Sequence, residues 1–372
     1  MDKKGLQIES EPLGGGFDSE LLAQRREEPP KSAWQHASLW SKIFLVCGLV
    51  VFLLGTTFLF VHAAASMADR SDEDGVVFFI LGDWGREGTG NQTGVARLMG
   101  HVGRTRRPHF VVSTGDNFYP NGLNSTDDAL FDASFKNVYT DWSLQIPWYA
   151  VLGNHDYGDG IEGYCENDAS DDCDRSPRHQ LGVGLASRDD RWFCQRRYRK
   201  SFGNGLIDVF FIDTSPMILS YHETEWARYP GGIQEQDWES QLKELESDLE
   251  NSVAPWKIVV GHHPPRSNGD HGNNTDLIEN LEPILQRQGV QALFSGHDHS
   301  LEHLKFDDIR TQYFVTGAGS DCDRGFIGDA GSMYQYTKPG FVAVRVARNA
   351  MVVDYYTVQG GQTPQYSTVL SA

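Results

Sequence analysis

The sequence predicts an α/β protein, a sheet core flanked by helices and preceded by one transmembrane helix. Three features predict it. Five short runs rich in β-branched and aromatic residues, VVFFILGDWG, HFVVSTGDN, WYAVLGNHD, WKIVVGHHP and ALFSGHDH, reach a glycine followed by Asp, Asn or His, which reads as buried strands with polar exits. Helical patterns alternate with them, which argues for a sheet whose ligands bind beyond the carboxyl ends of its strands. Ahead of all of these, residues 43–67 (IFLVCGLVVFLLGTTFLFVHAAASM) carry no charge and are long enough to span a bilayer.

Taken in order, residues 1–42 are polar and read as a disordered cytosolic tail, with Gly14-Gly15-Gly16 and Pro29-Pro30 and no sustained apolar period. Lys31 and Lys42 precede the apolar run and DRSDEDG follows it. That lysine asymmetry makes residues 43–67 a type II signal anchor with the bulk of the chain lumenal or extracellular. Cleavage at AAASMA, giving a secreted protein, is the other reading. Residues 68–75 form a linker, and residues 76–372 suit one large domain. Within it, helices are predicted over Gln92 to Arg104 and within Gln234 to Ser252, where Trp238, Leu242, Leu245 and Leu249 recur at helical spacing as a core-facing stripe. The acidic segment EGYCENDASDDCDRSPR (162–178) reads as a surface insertion. FVAVRVARNAMVVDYYTVQ reads as a β-hairpin turning at Arg348-Asn349.

Composition narrows the partners. Acidic residues outnumber basic ones 51 to 32, for a net charge of −19, which repels nucleic-acid backbones and anionic lipid. Three acceptor sequons, at Asn91, Asn124 and Asn273, lie on one side of the anchor, as N-glycans on a lumenal domain would. Cys47 lies in the anchor, and Cys165, Cys173, Cys194 and Cys322 can form two disulfides in an oxidising compartment, with three possible connectivities and Cys165–Cys173 as the closure of the acidic loop. No Cys-x-x-Cys pair points to zinc.

The strand exits carry the chemistry. Together they supply Asp83, Asp116, Asn154, His262, His297 and His299, an oxygen and nitrogen set suited to two hard or borderline metal ions. Strand alternation would aim His297 and His299 the same way, each reaching one metal of a pair, with Asp298 directed elsewhere. His263 would then point away from the site. Gly82, Gly115, Gly153, Gly261 and Gly296 would let the backbone turn sharply at the strand ends. Two metals about 4 Å apart can clamp the attacking and leaving oxygens of phosphoryl transfer, so the set predicts phosphoester hydrolysis.

In order, the blocks GDWG, GDNFYPNG, GNHD, VVGHHP and GHDH resemble the five metal-binding motifs of the purple acid phosphatases, in the metallophosphoesterase superfamily. The resemblance is to the low-molecular-weight type, with the plant small and animal tartrate-resistant enzymes. It runs from about Val76 to the C-terminal hairpin. It implies a two-sheet β-sandwich flanked by helices, in four layers α/β/β/α. It also implies ferric iron, Fe(III), held by Asp83, Tyr119 and His299, with Asp116 bridging to a second metal (Fe, Zn or Mn) held by Asn154, His262 and His297. His155 and His271 match positions that bind phosphate and protonate the leaving group, and Asn117 and Asp156 are candidates to orient the ligands. The implied activity is acid phosphatase action on small phosphate monoesters or phosphorylated proteins, by attack of a metal-bound hydroxide. The alternatives are a related phosphoesterase using two divalent metals on diesters or phosphoproteins, against which Tyr119 argues, and a non-catalytic membrane-tethered binding protein.

Overall fold

Strand period two sorts the core. In β1 (Val76–Leu81), Phe78 and Ile80 lie in one apolar cluster and Phe79 and Leu81 in another, all fully buried, so the strand is covered on both faces. β2 (Phe110–Ser113) divides in the same way, with Phe110 and Val112 opposite Val111. These observations come from a computed structural model that describes residues 75–159, 175–322 and 324–372. The tail, the anchor, the linker up to residue 74, and most of the acidic loop with Cys165 and Cys173 lie outside the described residues. Among the described residues no helix is long and apolar enough to cross a membrane.

Two seven-stranded sheets face each other. In the first, β1 and β2 continue in parallel to β3 (Trp148–Ala150) and β4 (Trp192–Cys194), while on its other side β1 pairs antiparallel with β12 (Gly340–Ala347), followed by β13 (Ala350–Thr357) and β14 (Tyr366–Ser371). The turn between β12 and β13 is at Arg348-Asn349, as the alternation predicted. The second sheet has a parallel centre of β6 (Ile207–Phe211), β7 (Trp256–Val260), β8 (Ala292–Ser295) and β10 (Gln312–Thr316). It is flanked by antiparallel β5 (Tyr198–Phe202), β9 (Leu301–Leu304) and β11 (Ser332–Tyr336).

Phe78, Ile80, Phe110, Val209, Ile258, Phe294 and Val344 share the cluster between the sheets. On the outer face of the first sheet, α1 (Gln92–Arg106) buries Val95, Leu98, Met99 and Val102 with Trp84, Trp148 and Trp192. On the outer face of the second, α2 (Trp238–Glu250) sets Leu242, Leu245 and Leu249 against Phe210, Val259 and Leu293. Each such buried leucine contributes about 1.5–3 kcal/mol. The α2 terminus is capped by Asp237, whose carboxylate accepts the Ser240 N–H at 2.9 Å. The result is the four-layer α/β/β/α arrangement.

The expected pair of disulfides does not form as such, because Cys194 is a buried free thiol at the end of β4. There the side chain serves as packing within the apolar cluster under α1.

Candidate metal centre

Five strand exits converge at one end of the sandwich. Asp83, Asp116 and Asn154 follow β1, β2 and β3 of the first sheet, and His262 and His297 follow β7 and β8 of the second. Asp83, Asp116 and His297 have φ of 59°, 50° and 69°, left-handed values that are uncommon outside glycine and concentrate at functional sites. The turning is therefore done largely by the donor residues themselves. Of the five preceding glycines only Gly115 has positive φ, at 96°. A Cβ at Gly153 would lie 2.2 Å from Asp116 Oδ1, and one at Gly296 2.3 Å from Asp83 Oδ2. Those two positions are glycine because carboxylates occupy the space.

The donors form two groups that share Asp116. Its Oδ2 lies 2.9 Å from the Tyr119 hydroxyl, which is also 3.2 Å from Asp83 Oδ1 and 3.0 Å from His299 Nε2. Its Oδ1 lies 3.4 Å from His262 Nε2. Around Asn154 Oδ1, His262 Nε2 and His297 Nδ1 stand at 3.0 and 3.1 Å. Outer contacts set these orientations. His262 Nδ1–H donates to the Thr114 carbonyl at 2.8 Å, turning Nε2 inward. Asn154 Nδ2 donates to Asp159 at 2.9 Å, leaving Oδ1 to the histidines. Tyr119 N–H donates to the Gly85 carbonyl at 2.9 Å, which ties the loop after β2 to the exit of β1.

Burial pushes the Tyr119 phenol well above its ordinary range, and Asp116 and Asp83 push it further. Burial works against a proton on His262, but the adjacent Asp116 carboxylate outweighs it and lifts the imidazole to about 9. Burial, together with His263 and His262, holds His297 well below the usual histidine range. Burial alone would raise Asp116, yet His262 and His155 keep it below the ordinary carboxylate value. Carboxylates, a phenol, an amide oxygen and imidazoles thus aim lone pairs inward, as hard and borderline cations require. Asp83, Asp116 and His262 bring ligand atoms within 4.8 Å of one another, as do His262, His263 and His297.

Residues 76–301 match the family of calcineurin-like phosphoesterases. Purple acid phosphatase 3 of Arabidopsis thaliana is 40% identical over 302 residues, which cover 78% of this chain and 77% of that one. The chain belongs to the purple acid phosphatases. The phosphatase is also 29% identical over 264 residues to tartrate-resistant acid phosphatase type 5 of Homo sapiens, covering 66% of this chain and 73% of the relative. Its fold is similar to that of GAP50, the anchor in the inner membrane complex of Plasmodium, with a TM-score of 0.63 and 23% identity over 80% of this chain and 88% of the other. Purple acid phosphatase PPD1 from yellow lupin seeds shares the fold at a TM-score of 0.57 and 17% identity, over 80% of this chain and 53% of the other.

In the phosphatase, His155 and His271 stand beside the two donor groups with their side chains partly exposed. His155 Nδ1–H donates to the Pro120 carbonyl at 2.6 Å, and its Nε2 is 3.9 Å from Asp116 Oδ2. His271 is half-exposed, 4.1 Å from the His297 ring between centroids. Its Nδ1–H and its backbone N–H both donate to Asp298 Oδ1, at 2.9 and 3.0 Å. That hydrogen bond to Asp298 raises the proton affinity of His271. Asp156 accepts N–H groups from Gly153, Asn117 and Phe118, which ties the exit of β3 to that of β2. Burial, with Asp116 nearby, lifts its carboxyl to about 7.

Two expectations need correction. β8 ends at Ser295, so strand alternation does not act on His297-Asp298-His299. The left-handed His297 starts a tight turn, with Asp298 N–H donating to Gly296 O and Ser300 N–H to Asp298 O. His297 and His299 diverge to different donor groups, while Asp298 reaches His271. Nor does His263 point away. Its ring packs 4.4 Å from that of His297, with Nδ1 at 2.9 Å from Thr214 Oγ1 and Nε2 at 3.1 Å from the Tyr221 hydroxyl. Sequence reasoning also missed Arg86, whose guanidinium lies 3.6 Å over the Tyr119 ring, and Arg324, 3.3 Å from His271 Nε2. Arg86 follows GDWG directly, but an arginine three residues beyond a strand exit carries no signal of its own.

Proposed function

We propose that the phosphatase hydrolyses phosphate monoesters at a centre where Asp83, Tyr119 and His299 hold ferric iron. Asn154, His262 and His297 would hold a divalent iron, zinc or manganese ion, and Asp116, whose two oxygens face the two groups, would serve both. One observation carries this reading: the two oxygens of Asp116 face two separate donor groups, one with the phenol and one with the amide. A phenol that burial keeps protonated needs a strongly charged cation to ionise it, which favours a trivalent ion beside Tyr119. When bound, the two ions supply Lewis acidity that activates water and neutralises charge on the phosphoryl oxygens.

The protein's residues do the rest. With Nδ1 held by a carbonyl in His155 and by a carboxylate in His271, each ring offers Nε2 to phosphate oxygens. His271, made more basic by Asp298, delivers a proton to the departing alkoxide. Small monoesters and phosphorylated proteins both present such a group. The iron-loaded protein is expected to hydrolyse a small aromatic phosphate in acid and to absorb in the visible. His262→Ala would lose turnover, and Tyr119→Phe the colour while keeping the fold. An active but colourless, iron-free protein would overturn the Tyr119 assignment, and absence of turnover on any monoester the activity itself.

The reading includes a type II anchor at residues 43–67 and a lumenal or extracellular catalytic domain. It is supported by the exposure of Asn91, Asn124 and Asn273, the acceptors of all three sequons. A glycosidase-sensitive mass together with resistance to alkaline membrane extraction is expected. Release by extraction would favour the secreted alternative.

A further inference from the structure

The end of the first sheet opposite the metal centre, where β1, β2 and β3 begin, concentrates arginine in a chain of net charge −19. α1 carries no carboxylate and runs into Arg104-Thr105-Arg106-Arg107-Pro108-His109. A cavity of about 450 Å³ opens there, with Arg106, Arg107, His109 and Arg345 in its wall. The carboxylate in the same wall, Asp354, is paired with Arg106 at 2.9 Å. Asp141, beside α1, is paired with Arg104 at 2.7 Å. The exposed guanidinium groups of Arg107 and Arg345 have no partner among the described residues. Arg107 also occupies the C-cap of α1 at φ 49°, a left-handed position that glycine fills at least cost. Next to the Arg104–Asp141 pair, Trp142 is 63% exposed, an amphipathic ring of the kind found at headgroup depth in membranes.

The chain enters the domain at this end, since Gly75 lines the same cavity. Seven residues, 68–74, separate it from Met67, the last of the apolar run, so the eight steps of chain reach at most about 28 Å. We propose that this end docks on the membrane that holds the anchor, with Arg107 and Arg345 gripping the phosphates of phospholipid headgroups. The inference rests on the type II anchor reading above. Guanidinium forks match phosphate oxygens two at a time, so the local charge decides the contact even though the chain as a whole is acidic. The metal centre, at the far end of the strands, then faces away from the bilayer and stays open to substrate.

Arginine-specific labelling with phenylglyoxal, read residue by residue by mass spectrometry, tests this on the full chain. Three settings are compared: maltoside micelles, which contain no phosphate, phospholipid nanodiscs, and micelles with added inorganic phosphate. Labelling of Arg107 and Arg345 is expected to slow about fivefold in nanodiscs relative to micelles, the effect of one exposed arginine–phosphate ion pair at the upper end of what such pairs contribute. The exposed Arg228 should be labelled equally in both. Equal labelling of Arg107 and Arg345 in discs and micelles, by a chain that has inserted, overturns the docking alone. A chain that stays out of the discs overturns the anchor and the docking together. Slowing by inorganic phosphate to the same extent assigns the pocket to the free anion and overturns the lipid contact. Labelling that is slow everywhere, and is relieved when Asp69, Asp72, Glu73 and Asp74 are changed to amides, assigns it to the linker instead.

Discussion

His303 makes the stability of this acid phosphatase fall in acid by a calculable amount. The residue lies on β9, buried between the stacked ring of Phe314, 4.5 Å away, and Tyr366. Its neutral form is fully used, with Nε2–H donating to Gln312 Oε1 at 2.7 Å and Nδ1 accepting the Tyr366 hydroxyl at 2.8 Å. Burial holds its pKa down from 6.5 to about 4. Because the folded value is below the unfolded one, the unfolded chain binds the proton first as pH falls. The stability His303 contributes is therefore full above about pH 6.5 and is lost progressively toward pH 4. At about 1.4 kcal/mol per tenfold in proton affinity, the loss is about 2 kcal/mol by pH 5 and about 3 kcal/mol by pH 4. His303→Gln keeps a donor for Gln312 and does not titrate. Urea unfolding of metal-loaded protein at pH 7 and pH 5 should show the wild type losing about 2 kcal/mol more than the variant over that interval. Parallel losses in the two proteins would refute the reasoning.

The other predictions concern the centre. Arg86→Leu removes a cation 3.6 Å from the Tyr119 ring and so raises the energy of the phenolate donor electrons. The visible band of the iron-loaded protein should move to longer wavelength, and an unshifted band would show that the guanidinium does not act on the phenolate. Asp298→Asn takes from His271 the carboxylate that raises its proton affinity. A drop of about tenfold in kcat/KM is expected, with the alkaline limb of the pH profile moved to lower pH, and an unmoved limb would count against His271 as the proton donor. Gly153→Ala places a Cβ 2.2 Å from Asp116 Oδ1. Metal content should fall from two ions per chain toward one while the chain stays folded, whereas full loading would mean that Asp116 moves aside freely.

The parallel strands were legible because each is apolar on both faces and ends in a polar turn: Phe78 to Leu81 could hardly form anything but a doubly covered strand. The hairpin at Arg348-Asn349 was legible for the same kind of reason, a period of two on both sides of a turn. The carboxylate, amide and imidazole donors could be picked out because they sit at or just past strand exits, where sequence position and spatial position nearly coincide, whereas Tyr119 was legible only through the resemblance of its motif. That link stops a residue or two past the strand. The shared direction expected of His297 and His299, and the outward turn expected of His263, failed because, beyond Ser295 and Val260, tight turns rather than alternation aim the side chains. Arg86 and Arg324 reach the site by stacking and by a loop from a distant segment, contacts that leave no periodic trace. The glycines were expected to turn the backbone, yet of the five only Gly115 takes a left-handed φ, and the constraint at Gly153 and Gly296 is a neighbouring carboxylate that no local reading can supply.

Asp83, Asp116 and Asn154 hang from the first sheet, and His262, His297 and His299 from the second. A metal pair bound between them would therefore also cross-link the two sheets at that end of the sandwich. Ions present at a thousand times their dissociation constant would add about 4 kcal/mol to the folded state, a large share of what holds a domain together. Chelation would then do more than silence the enzyme: it would loosen one sheet from the other, so that loss of activity and sensitivity to proteolysis arrive together.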